Sequence, residues 1–205
     1  MNQLSFLDYL MLTLVAIVWW RFFYLAHSPP GAEADTIEPA GLAGSEAGGT
    51  SAEPVQSLDD ALDSICLAGR YDDIGAFLTE AQGIYETIAT GFATGEMAPH
   101  AGLVGEDVRE SFEAAIASRN ERGESIERTF IGFTATDILA AGMSNGYGWL
   151  DIRFETEAVT AVHDRAGSVI AGDPHRVLAH SEIWSFERDF RTKTGWLVTA
   201  THNQA

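Results

Sequence analysis

Residues 4–26 read LSFLDYLMLTLVAIVWWRFFYLA and carry only two charges, Asp8 and Arg21. A stretch this apolar has two homes, a lipid bilayer or the middle of a globular fold. As a helix, residues 9–26 would extend roughly 27 Å at about 1.5 Å per residue, close to the hydrocarbon thickness of a bilayer. Arg21 lies in the last third, where its long stem reaches the headgroups. Tyr9 at one end, and Trp19, Trp20 and Tyr24 at the other, suit the two interfaces. The segment is expected to be a transmembrane anchor occupying residues 1–27. No Lys or Arg precedes the apolar run, and Trp19-Trp20-Arg21 at its end cannot serve as a small-residue cleavage site, so it is expected to stay uncleaved. Arg21 is the one basic side chain at either flank, which places the remainder of the chain on the cytoplasmic side.

Residues 28–57, SPPGAEADTIEPAGLAGSEAGGTSAEPVQS, hold almost no large apolar groups. Burial cannot offset the ordering entropy of such a segment, so a disordered linker is expected, with a reach on the order of 30 Å. Residues 58–205 are then long enough for one domain with a real core. That part holds eleven Arg and Lys against twenty-four Asp and Glu. So acidic a surface is repelled by nucleic acid and by anionic headgroups, and nucleic-acid binding is excluded. Cys66 is the only cysteine, so no internal disulfide exists, and its apolar neighbours predict a small core residue rather than a reactive thiol.

Helices come first in this domain. Residues 58–68 form an amphipathic helix with Ser57 as N-cap and Asp59 and Asp60 in the first turn, and Gly69 is expected to stop it. A longer helix from Asp72-Asp73 sets Ile74, Phe77, Ala81, Ile84, Ile88 and Phe92 at steps of three and four, up to Gly95. A third, from Glu106 to Arg122, aligns Val108, Phe112, Ala115 and Ile116 before Gly123. Strands follow. Residues 126–139 read as the first, and Leu150, Ile152 and Phe154 alternate with Asp151, Arg153 and Glu155 in the next. Turns are expected at Asn145-Gly146, at Asp164-Arg165-Ala166-Gly167 and at Gly172-Asp173-Pro174-His175, with final strands over residues 177–189 and 196–202. The fold class is α+β: helices on one face of a curved antiparallel sheet.

Nothing in the chain marks an enzyme. No phosphate-binding glycine loop, G-x-S-x-G elbow or paired histidine spacing is present, so no catalytic residue, cofactor or metal is expected. His180 and Glu182 share a strand face and read as a solvated or hydrogen-bonded pair. Asp151, Glu155 and Glu157 read as the wet face of their strand. Eight residues, Phe92, Phe112, Ile116, Phe130, Phe154, Trp184, Phe186 and Trp196, are the candidates for the core or for an apolar pocket between helices and sheet.

Three stretches carry a family resemblance: FLTEAQGIYETIATGFATGEM from Phe77, VRESFEAAIASRNERGESIERTFIGF from Val108, and EIWSFERDFRTKTGWLVTAT from Glu182. The most specific pieces are Arg119-Asn120-Glu121-Arg122-Gly123-Glu124, Gly172-Asp173-Pro174, and Ile183-Trp184-Ser185-Phe186-Glu187-Arg188-Asp189 leading to Trp196. Over residues 58–201 the chain resembles the C-terminal domain of the 44-kDa subunit of the mitochondrial inner-membrane import translocase and its bacterial relatives of the TimA type. The resemblance implies a fold similar to nuclear transport factor two, with a large apolar pocket. It also implies a non-enzymatic adaptor at the inner face of an energy-transducing membrane, here a bacterial inner membrane. The mitochondrial member recruits a chaperone motor and touches lipid. In this chain an anchor and linker replace its long N-terminal region, and Asp59, Asp60 and Asp63 stand where a lipid-contacting helix would carry Lys or Arg.

The expected function is a single-pass, membrane-tethered adaptor whose partners are other proteins, in protein translocation or membrane-protein assembly. A tether of this reach confines the head near the bilayer and raises its effective concentration toward membrane partners. The alternatives are a binder of a lipid tail or small apolar ligand, and an isomerase or hydratase with a carboxylate buried among the aromatics.

Overall fold

The computed structural model describes residues 57–204; the expected anchor and nearly all of the expected linker lie outside the described residues. Helix α1 is Leu58–Gly69, and the Ser57 hydroxyl oxygen accepts the Asp60 N–H at 3.1 Å. Its end corrects the sequence reading: Gly69 is still helical, and Arg70 takes the left-handed conformation at φ 59°. The reason lies in Tyr71, whose ring folds back over Gly69. A Cβ there would stand 2.3 Å from the ring, so glycine is needed for close approach and not for the turn. The Arg70 and Tyr71 amides close the helix onto the carbonyls of Leu67 and Cys66.

Helix α2, Ile74–Thr94, starts at Asp73, whose carboxylate accepts the Ala76 N–H at 3.0 Å, and ends at Gly95 with φ 81°. Phe77, Ala81, Ile84, Tyr85 and Ile88 are its buried stripe, while Ile74 and Phe92 are half-buried at its ends. After a short 3-10 segment, Ala98–Leu103, helix α3 spans Glu106–Arg122. Its buried ridge steps through Val108, Ile116 and Arg119, with Phe112 half-buried. Ala115, expected on this ridge, is exposed, because it sits about 100° around the helix from Ile116. Arg119 takes the inward place.

The strands form one antiparallel meander in the order β1 (Ser125–Ser144), β2 (Tyr147–His163), β3 (Val169–Asp189) and β4 (Leu197–Gln204). Bulges at Phe130/Gly132, Phe133/Ala135 and Ile138/Ala140 bend β1 and curve the sheet. The third expected turn is corrected. Gly172-Asp173-Pro174-His175 lies inside β3, which starts at Val169 and not at Val177. Gly172 has φ 74° beside a register shift, and a Cβ there would sit 2.2 Å from the Thr160 carbonyl oxygen. The segment that composition suggests as a turn is therefore a bulge.

One sheet face holds the core. Leu150, Ile152 and Phe154 of β2, Trp184 and Phe186 of β3, and Val198 of β4 meet Ile65 of α1, Phe77, Ile84, Tyr85 and Ile88 of α2, and Val108 and Ile116 of α3. Alternation along β2 produces this directly, since successive side chains point to opposite faces. Among the described residues no helix is long and apolar enough to cross a membrane.

Arg119 locks α3 to α2. Its guanidinium donates to the carbonyl oxygens of Phe92 (3.1 Å) and Ala93 (3.2 Å), acceptors that the end of a helix leaves without an internal partner. It also lies 5.5 Å from the centre of the Phe92 ring. Arg119→Ala is expected to cost about 2 kcal/mol, and Arg119→Lys to recover only part of it, because an ammonium cannot span both carbonyls. Urea denaturation with an unchanged slope checks this.

Candidate functional site

The eight aromatic and apolar candidates do not gather around one cavity. Phe154, Trp184, Phe186 and Trp196 are buried in the core, and Ile116 is buried under α3. Phe92 packs on Phe112 at 5.1 Å between the ends of α2 and α3, both half-buried. Phe130 packs against Phe133 (5.1 Å) and Tyr85 (6.2 Å). A second group surrounds Trp196: Phe77 of the expected helix stripe at 4.9 Å, and two residues not singled out from sequence, Phe190 at 5.5 Å and Tyr71, whose hydroxyl accepts the indole N–H at 3.0 Å. Among the described residues, aromatic side chains pack the inner face of the sheet, and a cleft of about 160 Å³ lies beside them. That cleft lies between the second half of α2 and the start of β1. Ala89, Ala93, Ile126 and Phe130 give it apolar walls, and Thr90, Thr94, Glu86 and Arg128 give it polar ones.

Beside the cleft, a polar network crosses the core. Tyr85 points from α2 onto the sheet, where its hydroxyl donates to the Glu182 carboxylate, faces the Thr156 hydroxyl at 3.4 Å and accepts from Arg128 at 3.3 Å. Burial first, then the neighbouring Glu182 charge, hold the Tyr85 phenol above its ordinary value, so it stays a neutral donor. Glu182 corrects the expectation that the strand carboxylates face outward. It shares its face with Trp184 and Phe186, and a carboxylate on that face needs the donor that Tyr85 supplies. The expected partnership with His180 is not made; His180 sits opposite Thr156 in the ladder, with its Nε2 buried and unpartnered. Parity offered a signal for both charged members: Glu182 keeps step with Trp184, and Arg128 keeps step with Phe130.

The other sheet face is wet, as β2 foretold. Arg153 bridges Asp137 at 2.7 Å and Glu155 at 3.7 Å, and the Ser185 hydroxyl donates to Asp151 at 2.6 Å. Cys66 is half-buried, and burial pushes its thiol above the ordinary value, away from the thiolate that reactivity requires. Among the described residues no group of three or more His, Cys, Asp and Glu is placed to hold a metal ion.

The model of the Tim44-like domain matches residues 60–203. The chain belongs to the Tim44-like family. Membership is compatible with a protein-interacting scaffold role in membrane-associated processes. Among solved structures, the intermembrane-space region of the chloroplast protein ARC6 is similar at 15% identity, covering 62% of this chain and 95% of that one, with a TM-score of 0.43. A periplasmic fragment of TraM is similar at 10% identity over 60% of this chain and 96% of that one, with a TM-score of 0.34. Neither adds to the family assignment at these scores. A search of curated proteins finds no match. Within the Tim44-like domain, the stretch from Arg119 to Glu124 holds the helix cap already described and the Arg122–Glu124 ion pair at 2.8 Å.

Two outcomes follow. Tyr85→Phe leaves Glu182 without its donor and is expected to destabilise the fold by about 1–3 kcal/mol, while adding Glu182→Leu recovers most of the loss. Paired thermal or urea melts of the single and double variants check it. The second concerns Tyr71, whose phenol is pushed up to about 12, by burial first and then by its hydrogen bond to Glu80. The unfolded phenol ionises near 10.0. Stability from this group is complete below pH 10 and is lost as pH rises toward 12, so Tyr71→Phe flattens the alkaline limb of a stability–pH curve.

Proposed function

We propose that this Tim44-like protein is a non-enzymatic adaptor, held at the cytoplasmic face of a bacterial inner membrane by a single apolar span, that gathers partner proteins for translocation or membrane-protein assembly. One observation carries the reading: the Tim44-like domain over residues 60–203 shares its chain with the apolar stretch of residues 4–26. Tyr9, Trp19, Trp20, Arg21 and Tyr24 would seat that stretch at the two interfaces, and residues 28–57 would serve as the tether. The filled interior supports it from another side, because it leaves the outer surface as the working part of the head. A strongly acidic head attached by a flexible segment stays off anionic lipid and free to meet proteins near it.

The cleft favours one second reading, a lipid tail or small apolar ligand. At about 160 Å³ it is smaller than the roughly 300–1,000 Å³ of most small-molecule sites, which ranks this reading below the adaptor.

Fractionation tests the anchor. The full chain is expected to stay in the pellet after alkaline carbonate, and a version lacking residues 1–27 to move to the supernatant. A full-length chain that washes off contradicts the tether. A periplasm-active reporter fused to the C-terminus is expected to be silent.

A further inference from the structure

β4 pairs with β3 only between Ser181–Gln204 and Glu187–Leu197, although β3 begins at Val169. The backbone direction of the remaining residues follows from one hydrogen bond. Phe190 donates its N–H to the Gly146 carbonyl at 2.9 Å, and the β2–β3 register then runs unbroken from Tyr147–Asp189 to Val159–Val177. Hydrogen-bonded rungs alternate in an antiparallel pair. Even-numbered residues of β3 therefore turn their N–H and C=O toward β2, and odd-numbered ones turn theirs away. Ser185 agrees with this parity, since its carbonyl accepts the Thr199 hydroxyl from the β4 side. Val177 and Ala179 accordingly direct their backbone groups to a side of β3 where no described strand pairs with them, and both are exposed.

Natural sheets blunt such edges, and β3 does so up to Arg176, where residues 173–176, Pro174 among them, bulge opposite Thr160 alone. From Val177 to His180 the register with β2 is regular and the edge stays smooth. Its side chains specify what fits. On the core side of the sheet Leu178 is followed by His180, on the other side Val177 is 49% exposed next to small Ala179, and Arg176 ends the bulge just before Val177. Arg176 is exposed and enters none of the ion pairs among the described residues. A cation flanking an apolar rung is unusual on a domain with twice as many acidic as basic groups.

We propose that the β3 edge from Val177 to His180, with Arg176 at its open end, takes an extended polypeptide segment as an added antiparallel strand, apolar at its centre and acidic at both ends. The unpaired backbone selects a strand, since neither a helix nor a nucleic acid offers the matching row of amide and carbonyl groups. Cross-strand neighbours then set the sequence: a carboxylate opposite His180, a large apolar residue opposite Leu178, β-branched residues opposite Val177 and Ala179, and a second carboxylate at the end within reach of the Arg176 side chain. The added strand would lie in line with β4. This deepens the adaptor reading by giving it a docking edge, and rests on that reading for its role; the geometry of the edge is independent of the tether.

The test uses the full chain in detergent micelles and an acetylated, amidated peptide Glu-Val-Leu-Val-Glu with Thr at each end. Saturable binding is expected, with amide exchange at Val177 and Ala179 slowed about tenfold or more. Ala179→Pro removes an outward N–H while sparing the β2 ladder, and is expected to weaken binding about tenfold. Arg176→Glu, which touches no backbone group, is expected to weaken it about fivefold, as does replacing both peptide Glu residues by Lys. Unchanged exchange at Val177 and Ala179 in millimolar peptide overturns the proposal, and so does a folded Ala179→Pro variant that binds as well as the parent. Failure here with the chain still resistant to carbonate removes the edge and leaves the adaptor; carbonate release with the peptide still bound does the reverse.

Discussion

The seating of α2 on the sheet through Phe77 and Tyr85 is the constraint on which the other features depend. The two rings stand eight positions apart, about 12 Å along the helix, so together they fix both the position and the direction of its axis. Phe77 sets one end against Trp196 at 4.9 Å and Phe186 at 6.3 Å. Tyr85 sets the other against Trp184 at 4.6 Å and Phe154 at 5.0 Å. Rings of this size dominate core energetics and prefer such tilted or edge-on contacts. With the axis fixed, the Phe92 and Ala93 carbonyls arrive where Arg119 can cap them, and Tyr85 delivers its hydroxyl to Glu182.

That arrangement has a functional consequence. A curved sheet with helices across one face can enclose a hollow, and a hollow invites a ligand or a reaction. Here aromatic bulk occupies the space, and the polar groups that remain inside are committed to one another. The Glu182 carboxylate, the group an isomerase-like mechanism would need free, is held by a phenol that burial keeps protonated. What stays available is outside: the wet sheet face, the acidic helix surfaces and the open part of β3. Membership of the Tim44-like family is compatible with a protein-interacting scaffold of this kind.

Much of this was legible in the sequence where periodicity and composition agreed. The caps at Ser57, Asp73 and Gly123 marked their helix ends, and strict alternation from Leu150 to Phe154 assigned the β2 faces. The sequence misled where one residue type serves two purposes. Gly69 looked like a stop and is instead a seat for the Tyr71 ring, and Gly172-Asp173-Pro174 looked like a turn and is a bulge. Two buried polar contacts had no local signal. Arg119 stood out only within a family motif, and Glu182 was paired with His180, yet each lies inward with partners supplied by distant segments: Phe92 and Ala93 for the first, Tyr85 for the second. No local pattern encodes a partner 27 or 97 residues away.

The claim at the centre, that the head acts through its exterior and not through its interior, is tested most directly by placing a photo-reactive phenylalanine in the full-length chain in living cells. One version carries it at Val177 on the open edge and another at Phe130 in the wall of the cleft. The account predicts adducts of protein size from position 177, recovered in the membrane fraction, and none from position 130. Adducts of lipid or metabolite mass from position 130, with none from position 177, would contradict it.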